Sequence, residues 1–158
     1  MATIYLQSSA GGIFAGDTLN ARFNVGPGSQ AHVTSQASTV VHTMKNSGAK
    51  TNMLIRVGDQ ALFEYLPDPL ILFPKANLTA RLRLEIDESS TVLLCDSYLT
   101  HDPYQSGEYF SQLANETTIT DKQGSLLCVD RSVIGGADFF RNEAGIMAKR
   151  EVDDVMSD

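Results

Sequence analysis

Apolar and polar residues alternate along most of this chain with a period of two, the spacing that sends successive side chains to opposite faces of an extended strand. TARLRLEI (79–86) is the clearest case: Leu82, Leu84 and Ile86 point one way, and Arg81, Arg83 and Glu85 the other. ARFNV (21–25), AHVTS (31–35), TNMLIRV (51–57) and ALFEYL (61–66) follow the same form. TVLLCDSYL (91–99) and SLLCVDR (125–131) are continuous apolar runs of strand length, which predicts strands buried on both faces and makes Cys95 and Cys128 packed thiols. LPDPLILFPKANL (66–78) carries four consecutive apolar residues after its Pro67 and Pro69, and Pro74 beyond them. That run suits a buried strand, with an exposed patch for a partner as the alternative.

Short polar turns separate these strands and recur. Val25, Val57, Ile86 and Thr120 each precede a turn rich in Gly, Pro, Asp or Ser, in steps of 32, 29 and 34 residues. A strand–turn–strand unit at such a period predicts an all-β fold of stacked strands, β-helix-like, in which each layer buries the face its neighbour leaves open. Regularly spaced hairpins in a meander sandwich would give a similar pattern. Helical spacing enters only near the end, where residues 138–152 suit a short helix before an acidic tail. The chain therefore divides into an all-β unit, 1–137, and a helix and tail, 138–158.

Composition narrows the function. The chain has 158 residues, 42% of them hydrophobic, and a net charge of −7 from 12 basic and 19 acidic residues. This is a globular composition, and its acidity argues against binding nucleic acid or an anionic membrane. No apolar stretch is long enough to span a bilayer and the first residues lack the pattern of a secretory leader, so the chain reads as cytoplasmic.

SSAGGIFAGDTL (8–19) poses the sharpest local question. Gly11 and Gly16 have the glycine spacing of a phosphate-binding loop, but Asp17 stands where the lysine belongs and no helical pattern follows. The stretch reads instead as a bend in which Gly11, Gly12 and Gly16 adopt backbone angles other residues avoid and Asp17 bonds nearby amides. No nucleophile-elbow motif is present, and no pair of carboxylates stands out for acid–base work, so the chain reads as non-enzymatic.

GGIFAGDTL, then VGPGSQAHVTSQASTVVH, then FEYLPDPLILFPKA, then SGEYF, in this order and over residues 3–135, resemble the urease accessory protein family UreD, also called UreH. The resemblance implies a β-helix-like fold and a non-catalytic role as a scaffold for nickel delivery. Its partners would be UreF, the GTPase UreG reached through UreF, and apo-urease, with a water-filled passage for the ion and no tightly bound cofactor. The sequence departs from the family pattern at Val40, His42 and Thr43, at Asp68-Pro69, and at His101-Asp102-Pro103; family members are also longer.

Nickel accepts imidazole, carboxylate and thiolate donors. The densest donor set is HDPYQSGE, with His101, Asp102 and Glu108, and its plain alternative is a solvated turn. The Gly107-Glu108 pair matches the family's Gly-Glu motif, and Asp17 and Glu64 are the other carboxylates inside family motifs. Glu64 faces away from Phe63 and Tyr65. It points either to water or into a polar interior. A delivery path needs weak, spaced ligands rather than a tight cage. His42 and His32, lone histidines on strands, read as structural.

Overall fold

The computed structural model describes residues 1–140 of the chain. They wind into four coils of a three-sided parallel solenoid. The first coil holds β1 (Ala2–Leu6), an isolated bridge from Ile13 to Val41, and β2 (Thr18–Val25). The second holds β3 (Gln30–Ser35), β4 (Thr39–Val41) and β5 (Ala49–Val57). The third holds β6 (Leu62–Tyr65), β7 (Leu70–Leu72) and β8 (Asn77–Ile86), and the fourth β9 (Thr91–Leu94), β10 (Tyr98–Thr100) and β11 (Gln112–Asp121). Corresponding strands of successive coils pair in parallel: β1-β3-β6-β9 form sheet A, β4-β7-β10 sheet B, and β2-β5-β8-β11 sheet C. β12 (Leu126–Gly135) then turns back antiparallel on β11, and α1 (Gly136–Phe140) follows. The architecture is the stacked, β-helix-like one that the recurring units predict.

The turns work differently from the expected strand–turn–strand reversals. The first three are corners that carry the chain from sheet C of one coil to sheet A of the next, and the strands they join pair with other coils, not with each other. Backbone bonds run from corner to corner instead: Gly28 N–H donates to Asp59 O (2.8 Å), Leu62 N–H to Ser29 O (2.9 Å) and Thr91 N–H to Ala61 O (2.9 Å). The fourth turn alone among these closes a hairpin, with Asp121 N–H donating to Ser125 O at 3.0 Å and Gly124 at a φ of 84°. A polar turn of the same composition serves either geometry, so the sequence pattern does not separate them.

Alternation along each strand fills the solenoid from the inside. Phe23, Ile55, Leu84 and Ile119 are in register across the four parallel strands of sheet C. They join Val33 and Phe63 in one cluster. A second cluster gathers Ile13, Val41, Leu72, Leu78, Phe110 and Leu113 where sheets B and C meet. Fully burying a side chain of the Phe63 kind stabilises by about 1.5–3 kcal/mol, and Phe63, Val33, Ile55 and Leu78 are all 0% exposed. Among the described residues no polar or charged side chain is buried. Leu72 and Pro74 are buried too, which puts the centre of LPDPLILF in the core while Asp68 stays at the surface.

Two apolar runs were expected inside and are not. Cys95 and Cys128 are both free and exposed. Leu93 is 51%, Leu126 62% and Leu127 55% exposed. Leu93 lies in the row of Glu64 on the outer face of sheet A, Leu126 pairs with Thr120 past a break in register, and among the described residues no strand lies beyond β9 or β12. At the C-terminal side, α1 starts at Gly136. Its Phe139 packs edge-on to Phe110 and its Phe140 stacks on Tyr109. A Cβ on Gly136 would collide with the Phe110 carbonyl, so the close approach requires glycine. The remainder of the helix expected over 138–152, and the acidic tail, lie outside the described residues.

One corner titrates. Lys122, on the hairpin turn, bonds Asp59 and Asp87 on the two preceding corners. The Asp87 carboxyl is lowered from 3.8 to about 2, first by the Ser89 hydroxyl and amide and then by Lys122. A carboxyl depressed in the folded state contributes stability that is complete above its unfolded value and is lost as the pH falls through its folded one. We expect an NMR titration to place Asp87 near 2, Ser89→Ala to move it toward 3.8, and Lys122→Ala to move it less. A wild-type midpoint at the ordinary value would contradict this.

Candidate functional site

The glycine stretch closes the first coil around its own carboxylate. Gly11, Gly12 and Gly16 have φ of 75°, 146° and 84°, and Phe14 N–H donates to Asp17 Oδ2 at 2.8 Å. A Cβ on Gly12 would lie 2.5 Å from Val40 O and against the His42 ring, so the second coil presses directly on this loop. Asp17 is thereby a local cap.

Ile13, Val41, Leu72 and Thr100 align in register across four coils. The residue after each is aromatic: Phe14, His42, Phe73 and His101. These form a ladder. Phe14 stacks on His42 (4.3 Å between centroids, 7°), His42 meets Phe73 edge-on at 5.5 Å, and Phe73 meets His101 at 5.8 Å. The His42 ring also sits 3.3 Å from Gly11 O. His101, expected in the donor set, is thus also the last rung of a stack.

Downstream of His101 the loop folds about Asp102. This carboxylate accepts from Gly107 N–H (2.9 Å), Ser106 Oγ (3.0 Å) and Tyr104 N–H (3.2 Å). Desolvation pushes its pKa up, but these donors together outweigh it and hold the carboxyl below its ordinary value. Gly107, at a φ of 71°, permits the turn. Glu108 pairs with Lys75 at 2.8 Å, both side chains half-exposed. His101, Asp102 and Glu108 share one crevice of about 30 Å³, lined also by Pro74 and Phe110. Pro67 lies at the half-buried corner between β6 and β7.

Glu64 and Asp17 do not join that crevice. Glu64 is on the outer face of sheet A, directly opposite His32 in the register, and the two side chains bond at 2.9 Å. Among the described residues, no three of His, Cys, Asp and Glu lie close enough to hold a metal ion.

A polar site that the sequence reading did not single out lies at the fourth coil. On β11 and β12 the pairs Leu113–Ile134 and Ile119–Cys128 turn toward the solenoid axis; between them, on the same side, sit Asn115–Ser132 and Thr117–Asp130. Asp96, between β9 and β10, faces this end. Partial desolvation, then the charge of Asp130, raises the Asp96 carboxyl. Desolvation, then Asp96, raises the Tyr65 and Tyr98 hydroxyls, with Asp130 adding to Tyr98. The charge of Asp130 thus acts on Asp96, and a cation held near the two would relieve that repulsion. The signal was present in Leu-Leu-Cys-Asp-Ser-Tyr and Leu-Leu-Cys-Val-Asp, but the apolar residues before each aspartate drew both segments into the core on paper.

The family model for the UreD urease accessory protein matches residues 1–152. The chain belongs to this family. It is similar to urease accessory protein UreD 1 of Pseudomonas syringae pv. syringae, 36% identical over 151 residues, which are 96% of this chain and 53% of that protein. UreD 1 of Pseudomonas syringae pv. tomato is 38% identical over 149 residues, 94% of this chain and 52% of its own length. UreD of Bacillus cereus is 36% identical over 96 residues, 61% of this chain and 35% of that protein. The chain thus spans about half the length of the Pseudomonas relatives. The names of these relatives describe accessories to an enzyme, not enzymes. Among the described residues no helix is long and apolar enough to cross a membrane.

The Asp102 loop makes a direct test of local order. The Asp102 carboxylate accepts the Gly107 amide, so Asp102→Ala should speed hydrogen exchange at that amide while leaving β11 protected. Unchanged exchange would show that the carboxylate does not hold the loop.

Proposed function

We propose that this chain acts in urease maturation as a rigid docking scaffold, in the cytoplasm, that takes part in nickel delivery to apo-urease with UreF and, through UreF, UreG. The observation that carries the reading is the family match over residues 1–152. Nickel is cargo in this reading, passed between weak donors. The packed interior of the middle coils offers no polar lining among the described residues, so the donors that suit the task are at the surface and at the end: Asp96 and Asp130 at the fourth coil, with Glu108, Asp102 and His101 along the neighbouring crevice. Spaced carboxylates that hold an ion loosely favour transfer over storage.

A second reading has its own support. Glu108 is engaged by Lys75, and Asp102 by its own loop. Donors so occupied suit a β-rich binding module that keeps the scaffold role without handling the metal.

Expression of the chain in a urease-producing host deleted for its own UreD separates the readings. We expect capture of UreF and apo-urease, restored urease activity, and a loss of nickel loading of roughly tenfold in Asp96→Asn/Asp130→Asn with capture intact. Capture with nickel loading unchanged in that variant and in Glu108→Ala favours the module without a metal role. Failure to capture either protein removes the maturation role.

A further inference from the structure

The charges of this acidic chain are segregated by the solenoid. Residues 1–140 carry nine basic and fourteen acidic side chains. Six of the nine, Arg22, Lys50, Arg56, Arg81, Arg83 and Arg131, alternate with inward-facing residues on sheet C and are exposed on its outer face. That face holds two carboxylates, Glu85 and Glu116, and so carries +4, whereas the rest of residues 1–140 carries three basic and twelve acidic groups, or −9.

Register brings the arginines together. Arg22, Leu54 and Arg83 lie in one row across three strands; Asn52, Arg81 and Glu116 form the next. Adjacent strands are about 4.8 Å apart and alternate residues on one strand about 7 Å apart, so Arg22, Arg81 and Arg83 occupy a single small area. Arg56 pairs with Glu85 at 3.3 Å and Arg131 with Glu116 at 3.0 Å. Among the described residues, Arg22, Lys50, Arg81 and Arg83 have no carboxylate within ion-pair distance. Crowded like charges without counter-charges cost stability, and the core does not use these side chains.

We propose that the outer face of sheet C docks an acidic surface of a partner protein. The inference rests on charge and register alone and goes beyond the maturation role. Guanidinium groups on a stiff sheet are placed for two-pronged bonds to carboxylates, with little ordering left to do on binding. Exposed Val129, next in row to Thr118 and in line with Arg83, adds apolar area at the same level. The face carries no aromatic side chain on which a base would stack, and its net field is set in a strongly acidic molecule; both favour a protein over a nucleic acid.

The test is an NMR titration of the full chain with poly-L-glutamate, and separately with a single-stranded RNA of matched charge. We expect poly-L-glutamate to perturb amides of β2, β5, β8 and β11. Binding should weaken by about tenfold in Arg22→Gln/Arg81→Gln/Arg83→Gln and stay as in the wild type in Lys45→Gln, an exposed basic residue off this face. These side chains are outside the core, and an unchanged amide spectrum elsewhere verifies the fold. No binding, perturbation confined to other faces, unchanged affinity in the triple variant, or tighter binding of RNA through the same residues would each overturn the proposal.

Discussion

Stacking in register is the constraint on which this molecule depends. A single coil has three short strands and no way to bury them. Its inward residues leave water only when the next coil presents matching ones at the same height. Phe23, Ile55, Leu84 and Ile119 show this across sheet C, as Ile13, Val41 and Leu72 do across sheet B. A slip of one residue would turn each inward row outward and bring Arg83 or Arg56 into the core. The corner bonds and the aromatic ladder from Phe14 to His101 fix the same register at two edges of the solenoid.

That constraint assigns function to what the stack leaves open. With the middle coils filled by Val33, Phe63, Ile55 and Leu72, polar chemistry is confined to faces and ends. At the fourth coil the apolar pattern breaks: Asn115 and Thr117 of β11 and Asp130 of β12 share the side of Leu113 and Ile119, and exposed Asp96 lies near Asp130. Sheet C gathers the positive charge of a negative chain. The glycine loop, which looks most like a ligand site on paper, is consumed in holding the first coil against the second, with Gly12 pressed on Val40 and His42.

Much of the fold was legible because strand alternation and coil length are local quantities. TARLRLEI shows its two faces directly, and the steps between turns follow the length of a coil. Partner choice was not legible: Gly-Asp-Gln after Val57 builds a corner and Asp-Lys-Gln-Gly after Thr120 builds a hairpin from the same kinds of residue. Position in the stack was equally hidden, since Leu126 and Leu127 look like core unless it is known that β12 is the last of the described strands of its sheet. In the candidate site, His101, Asp102 and Glu108 were found as a group, but Asp130, whose charge raises the Asp96 carboxyl, is 34 residues away in sequence and comes near it only through the coil.

The parallel stack itself is measured most directly by inter-strand nuclear Overhauser effects between backbone protons. A parallel stack gives contacts linking Phe23 with Ile55 and Ile55 with Leu84, strands one full coil apart. Contacts linking β2 with β3, or β5 with β6, in antiparallel hairpins would contradict it, and the basic face and polar end built on that stack would go with it.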